Sequence, residues 1–270
     1  MYQYRDKVAL ITGASSGIGE AFAWALARRQ MRLILVARSE DKLRRLAADL
    51  TWKYRVQVEV AAIDLAEDGA IPALLAEVER LAMPVDLLVN NAAFGSYGPF
   101  ETIALERDRR QVLLNVAAVV DLPHAVIPGM LARGGGGIVN VGSVLSYWPL
   151  PHESVYAASK AFVLSLSQAL AAEYEHRGLR VLAVCPGSTA TNFARVAGAP
   201  APRARFGPLS RALIRRPEQV VLTAIKALEA GKPVVIDGML NRLAVRILAF
   251  LPRMLIARFF AARQPRLPES

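Results

Sequence analysis

The sequence predicts an α/β domain: a doubly wound parallel sheet of about seven strands covered by helices on both faces, followed by an amphipathic helical extension. Apolar, β-branched runs alternate with helical stretches from residue 8 to about residue 236, the pattern of repeated βαβ units. Several runs, such as Leu33-Ile34-Leu35-Val36 and Leu87-Leu88-Val89, are continuous rather than alternating, as strands buried on both faces require. A glycine-rich turn joins the first strand to the first helix.

The strands are expected at 8–12, 33–37, 56–62, 85–90, 137–142, 180–184 and 233–236, and the helices at 18–30, 40–52, 68–82, 106–132, 154–176 and 217–230. The first strand stops at Gly13. The second stops at Ala37-Arg38, where Ser39 caps the next helix. Asp64-Leu65 closes the third strand, and the fourth runs into Asn90-Asn91-Ala92-Ala93. Gly134 to Gly137 read as a turn before the fifth strand, which ends at Val141-Gly142-Ser143. The sixth ends at Cys185-Pro186-Gly187. Met130 and Met239 are read as packing residues, and Cys185 as a buried, inert thiol.

Composition narrows the function. The 270 residues are 54% hydrophobic and 21% charged, enough for a core and far from bulk disorder. One cysteine excludes an internal disulfide and a cysteine-rich metal site. His124, His152 and His176 lack metal-ligand spacing, so no metal is expected. The apolar run Val8 to Ile11 is too short for a signal sequence, so a cytoplasmic protein is expected. The net charge of +10 is concentrated late in the chain: residues 176–270 hold 16 Lys and Arg against 4 Asp and Glu, while residues 1–175 hold 17 against 19. No nucleic-acid motif accompanies that charge, so no nucleic-acid partner is expected.

The chemistry-bearing residues sit where the strands end. Thr12-Gly13-Ala14-Ser15-Ser16-Gly17-Ile18-Gly19 lies between a strand and a helix. There, glycines let the backbone approach a pyrophosphate and the helix N-terminus favours its charge. A dinucleotide site with a free ribose 2′-hydroxyl wants a carboxylate after the second strand. Ala37 supplies none, and Arg38 suits a 2′-phosphate, which favours NADP(H) over NAD(H). Arg38 also fits a solvated position before the cap. Asp64 fits either an acceptor for the adenine amine or an ordinary helix-start acid. Asn115 falls inside a long helical segment, where an amide gains little from the backbone. Tyr156 and Lys160 are four residues apart, on one helical face. An ammonium there favours the phenolate and brings a tyrosine nearer to neutral titration. The same spacing also fits a plain solvated face.

Taken together, Thr12 to Gly19, Asn90 to Ala93, Asn115, Ser143, Tyr156 with Lys160, and Pro186-Gly187 through Thr191 resemble the short-chain dehydrogenase/reductase family over about residues 6–236. The phrases Ala-Arg-Ser-Glu-Asp-Lys-Leu and Cys-Pro-Gly with Thr191-Asn192-Phe193 look closest to its bacterial DltE-like branch. The resemblance implies a single-domain Rossmann fold and a homodimer or homotetramer formed through the helices near 106–132 and 154–176. It implies that Ser143 holds the substrate oxygen and that Tyr156 is the general acid/base. Lys160 would bind the nicotinamide ribose and lower the tyrosine's pKa, and Asn115 would hold a water that passes protons outward. Gly13, Ser15, Ser16, Gly17, Ile18, Gly19, Arg38, Asp64, Leu65, Asn91 and Ala92 would line the cofactor, with Pro186, Gly187, Thr189 and Thr191 on the nicotinamide side. Two positions depart from the family: Ala93 stands where glycine is usual, and Ser16 where many NADP-dependent members carry Arg or Lys.

The implied activity is NADP(H)-dependent reduction of a ketone, aldehyde or 3-oxoacyl group, or the reverse oxidation, on a small apolar substrate. The alternatives are a module that binds NADP(H) without turnover and a lipid or sterol reductase at a membrane surface. Residues 1–237 are expected to form the domain, with a substrate flap at about 188–216. Between His176 and Pro217 there is no acid and there are eight arginines. They suit a phosphate-bearing carrier, an anionic bilayer or plain solvation, while Phe193, Val196 and Phe206 suit an apolar pocket wall. In the extension, 238–270, an apolar stripe of Leu240, Leu243, Ala244, Ile247, Leu248 and Leu251 runs to Pro252. A second apolar patch around Phe259 and Phe260 carries arginines. No run in 238–263 is long enough to span a bilayer. Its basic amphipathic character suits peripheral membrane contact, or packing on the domain or a sister subunit.

Overall fold

The computed structural model describes residues 2–199 and 214–263. Seven parallel strands form one sheet in the order β3-β2-β1-β4-β5-β6-β7. They are β1 (Val8–Thr12), β2 (Arg32–Ala37), β3 (Val58–Ala62), β4 (Leu87–Asn90), β5 (Gly136–Val141), β6 (Leu179–Cys185) and β7 (Val234–Ile236). The helices are α1 (Gly17–Ala27), α2 (Glu40–Tyr54), α3 (Ala70–Arg80), α4 (Leu105–Val112), α5 (Ala118–Ala132), α6 (Ser154–Tyr174), α7 (Phe193–Ala197), α8 (Pro217–Glu229), α9 (Met239–Leu248) and α10 (Arg253–Arg263). This is the expected single Rossmann-like α/β domain. The strand order reverses between β1 and β4, whose register pairs Ile11 with Val89. In open α/β sheets, ligands bind outside the strands' C-terminal ends at such a switch point.

Two apolar layers cover the sheet. On one face Phe22 and Leu26 of α1 and Val221 and Ile225 of α8 meet Ile11, Val89, Val139 and Leu182. On the other, Leu122, Val126 and Met130 of α5 meet Leu10, Leu88, Ile138 and Val181. Each fully buried side chain of this size contributes about 1.5–3 kcal/mol. The stretches Leu105–Ala132 and Ser154–Arg177 have the length and apolarity of membrane spans, but α5 spends its apolar inner face on the sheet.

The structure corrects several expectations. The strand β5 begins at Gly136, one residue before the expected 137 and inside the stretch read as a turn. A Cβ at Gly137 would come within 2.8 Å of Tyr2 Oη, and one at Gly136 within 2.8 Å of the Met130 side chain. Residues 106–132 are not one continuous α-helix: a π-helical turn, Leu113–Ala117, separates α4 from α5. Met130 is buried as expected, but Met239 is 77% exposed. The extension does break at Pro252, between α9 and α10. Most of its stripe faces outward, while Leu248 packs against the Trp148 cluster. Asn241 and Val245 are the buried positions of α9, whereas Leu240, Leu243, Ile247 and Leu251 are exposed. The reason lies in Asn241. Its Nδ2 donates to Asp237 O at 2.8 Å, and its side chain sits where a Cβ on Gly187 would stand. That contact sets the rotation of α9, and Val245 and Ile256 then close over Trp148.

Candidate active site

The glycine loop after β1 is held by its neighbour across the switch point. Thr12 Oγ1 donates to Val89 O at 3.3 Å and accepts from the Asn91 and Ala92 amides at 3.0 Å each. Asn91 Nδ2 donates to Thr12 O at 2.9 Å and to Gly13 O at 3.2 Å. Its donors hold the loop's shape rather than reaching outward. Gly13 and Gly17 take positive φ, 64° and 60°, which side chains rarely adopt. A Cβ on Gly19 would lie 2.3 Å from Gly13 O, and one on Gly17 would lie 2.9 Å from Thr191 Cγ2. The loop is therefore a cradle that only glycine permits. It ends at the exposed Ser16, the N-cap of α1, and Ser15 and Ile18 are half-buried beside it. A pyrophosphate fits there, since the first-turn amides of a helix seek acceptors.

Arg38 follows β2 with its side chain 70% exposed, and its Nη1 stands 3.7 Å from Asp64 Oδ2. Asp64 also accepts from the Ala66 amide at 3.1 Å and from Arg110 Nη2 at 2.9 Å. The Leu65 side chain is buried in the core, so Asp64 is the polar group presented there. Ala93 is not among the residues with positive φ, so its methyl group is tolerated where the family usually has glycine.

The four candidate catalytic residues come from the turn after β5, the π turn and α6. Asn115 is fully buried. Its Oδ1 accepts from the Phe94 amide at 3.2 Å, and its Nδ2 donates to Phe94 O at 2.9 Å and Ser159 Oγ at 3.2 Å. Ser159 Oγ donates in turn to Tyr156 O at 2.7 Å. A hydrogen-bonded chain thus links the π turn to the backbone of Tyr156. Ser143 caps the short turn Val144–Ser146, with its Oγ accepting from the Leu145 amide at 3.1 Å. The Val144 amide donates to Pro186 O at 3.0 Å, tying the end of β5 to the loop after β6. Lys160 is buried, donates to Val141 O at 2.8 Å and stands 5.8 Å from the centroid of the half-buried Tyr156 ring. Burial pushes its ammonium down to about 8, with Cys185 acting in the opposite direction. The Cys185 thiol is pushed up to about 11, chiefly by burial, which keeps it protonated.

Past β6, the Phe193 ring packs at a 47° tilt against Tyr156, with ring centroids 5.1 Å apart. Thr189 Oγ1 donates to Gly187 O at 3.1 Å, and the Phe193 amide donates to Thr191 Oγ1 at 3.3 Å. Arg215 ties the far side of the flap back: its amide donates to Ser188 O at 2.9 Å, and its Nε to buried Asp237 at 3.0 Å. Phe206, Arg203, Arg205 and Arg211 of the expected flap lie outside the described residues.

Sequence reasoning missed three contributors. Ser159 lies inside the Tyr156–Lys160 stretch, and only the fold shows it bridging to Asn115. Arg107 donates from one nitrogen to Gly95 O at 3.0 Å and Val196 O at 2.9 Å, bracing the flap. Arg110 reaches Asp64 from 46 residues away. No local spacing signals either arginine.

Comparison with known proteins places the chain in a family. The short chain dehydrogenase family model matches residues 7–200. The chain is 37% identical over 191 residues to sulfoacetaldehyde reductase 2 of Chromohalobacter salexigens, covering 70% of this chain and 75% of that protein. It is 35% identical over 193 residues to a very-long-chain 3-oxoacyl-CoA reductase of Anas platyrhynchos, covering 70% of this chain but 61% of that one. It is also similar to the solved structure of a short-chain dehydrogenase from Sphingobium yanoikuyae in complex with NADPH, with a TM-score of 0.80, 33% identity and coverage of 98% of each chain.

Proposed function

The chain belongs to the short-chain dehydrogenase family, and from that premise we propose that it is an NADP(H)-dependent reductase of apolar carbonyl compounds with Tyr156 as its general acid. It is an oxidoreductase that acts between C=O and CH–OH. The phrase Ala37 to Leu43 supports placing it in the DltE-like branch. The observation that carries the catalytic reading is the convergence of Tyr156 with a buried lysine 5.8 Å from its ring and a backbone bonded through Ser159 to Asn115.

When bound, the dinucleotide supplies the hydride for reduction. The protein's part is orientation and one proton. Ser143 Oγ is fixed through its lone pair by the Leu145 amide, so its hydroxyl proton is available to hold the substrate oxygen. Tyr156 Oη donates its proton to that oxygen as negative charge develops there. The Lys160 ammonium stabilises the phenolate left behind, and burial strengthens that interaction. Asn115, locked on Phe94 and Ser159, holds the end of the proton route. Phe193 supports an apolar substrate, and the 3-oxoacyl-CoA relative supports a 3-oxoacyl chain among the candidates. Exposed Arg38 and the NADPH-bound neighbour support NADP(H) over NAD(H).

Tyr156→Phe tests the reading. Turnover of NADPH with a panel of ketones, aldehydes and acyl thioesters should fall by about 10²–10⁴-fold, while NADPH affinity by fluorescence titration stays within about twofold. Retained turnover in the variant would remove Tyr156 from the mechanism. No NADPH oxidation by the wild type across the panel would favour a binding module without turnover.

A second reading concerns location. Met239, Leu243, Ile247, Phe250, Met254 and Phe259 are all exposed, among Arg242, Arg246, Arg253 and Arg258 with no acid from 238 to 263. That supports peripheral attachment to an anionic bilayer, where each arginine adds about 1 kcal/mol. A two-fold contact with a second copy would set this acid-free face against itself. The exposed Leu105, Val112, Leu113 and Phe162 support a homodimer or homotetramer formed elsewhere, through α4, the π turn and α6.

A further inference from the structure

Arg110 sits on α4, outside every motif that marks the cofactor site, yet it reaches the same carboxylate that Arg38 approaches. Its Nη2 donates to Asp64 Oδ2 at 2.9 Å and its Nη1 to Glu67 Oε1. Arg38 approaches the same Asp64 oxygen only to 3.7 Å, beyond a hydrogen bond. Arg110 is 30% exposed and Arg38 70%. Asp64 is thus claimed by the more buried arginine, and the guanidinium of Arg38 keeps its donors. The two arginines and two carboxylates sum to zero. Without Arg110, the corner would carry one net negative charge, and Asp64 would be free to draw Arg38 into a paired fork. Both changes oppose a phosphate, and neither penalises a ribose 2′-hydroxyl.

Building on the reading that Arg38 meets the 2′-phosphate of NADP(H), we propose that Arg110 is a positioning residue for cofactor choice. It occupies Asp64 and Glu67 so that Arg38 stays open to the phosphate. Titration of the full-length apo-protein with 2′,5′-ADP and with 5′-AMP tests this without turnover. Arg110→Gln should weaken 2′,5′-ADP by about three- to tenfold, as expected for partly exposed charges, and leave 5′-AMP within about twofold. In turnover, KM for NADPH should rise while kcat holds. Adding Asp64→Asn to Arg110→Gln should restore the ratio of 2′,5′-ADP to 5′-AMP affinity, since the competing carboxylate is gone and any lost adenine contact falls on both ligands alike. Arg38→Ala is the control. If it weakens 2′,5′-ADP and Arg110→Gln does not, the role of Arg110 is overturned and the Arg38 reading stands. If Arg38→Ala has no effect, the cofactor reading itself fails. Equal weakening of both ligands by Arg110→Gln, with a lowered Tm and no rescue by Asp64→Asn, would make Arg110 a structural residue only.

Discussion

Lys160 is the residue on which chemistry and stability meet. It is buried, with its ammonium on a backbone carbonyl, and burial lowers its pKa from the ordinary 10.5 to about 8. In the unfolded chain it regains the ordinary value. Between these two pH values the unfolded state therefore holds a proton that the native state has released, and stability rises with pH. The native state bears the full cost of the buried ammonium below pH 8 and none of it above about pH 10.5, a span on the order of 3 kcal/mol. In urea melts of the apo-protein, wild type should gain stability relative to Lys160→Met between pH 8 and pH 10. Parallel curves for the two proteins across that range would show that the lysine titrates normally. The proposed task of Lys160, charge stabilisation beside Tyr156, thus carries a standing stability cost, as functional sites commonly do.

At the scale of elements, the site depends on two backbone irregularities, the glycine loop into α1 and the π turn between α4 and α5. The loop is tight enough that one methyl group decides its fate. Gly19→Ala would place a carbon 2.3 Å from Gly13 O and 2.5 Å from Asn91 Nδ2, both part of the scaffold that shapes the cradle. We expect a loss of about 1–3 kcal/mol in stability from the overpacking and at least about tenfold weaker NADPH binding by titration. Wild-type affinity in that variant would mean that the loop does not hold the dinucleotide. The π turn places Asn115 where its amide can take both polar groups of the Phe94 backbone and still reach Ser159. Such turns often mark functional sites.

Over the whole molecule, the extension is fastened to the site and open to the outside at once. Asn241 rests on Gly187, and Val245 and Ile256 cover Trp148, while Phe250 is 89% exposed. Truncation after Asp237 would bare Trp148 and remove Asn241 from its place against Gly187, so outward-facing substitutions make the cleaner test. Phe250→Asp with Met254→Asp should abolish co-sedimentation with phosphatidylglycerol-containing vesicles and leave NADPH affinity unchanged. Wild type should bind those vesicles more tightly than pure phosphatidylcholine ones, and less so at high salt. Absence of wild-type binding, together with a drop in oligomer mass in the double variant, would assign the face to a second copy instead.

The alternation of apolar runs and the glycine loop are local patterns, and they determined the sheet and its parallel sense, while the candidate site was marked by the combined motifs and the family they resemble. Pattern works there because strand burial and helical periodicity repeat every few residues. What pattern could not reach was decided by contacts between distant segments. Inside β5, Gly136 and Gly137 must be glycine because Met130 and Tyr2 leave no room for a side chain. Most of the stripe on α9 faces outward because Asn241 finds Asp237 and Gly187. Arg110 reaches Asp64 because the fold brings α4 to the residues that follow β3. Each depends on which polar group or void the folded neighbours present, and the spacing of residues along a chain does not encode that.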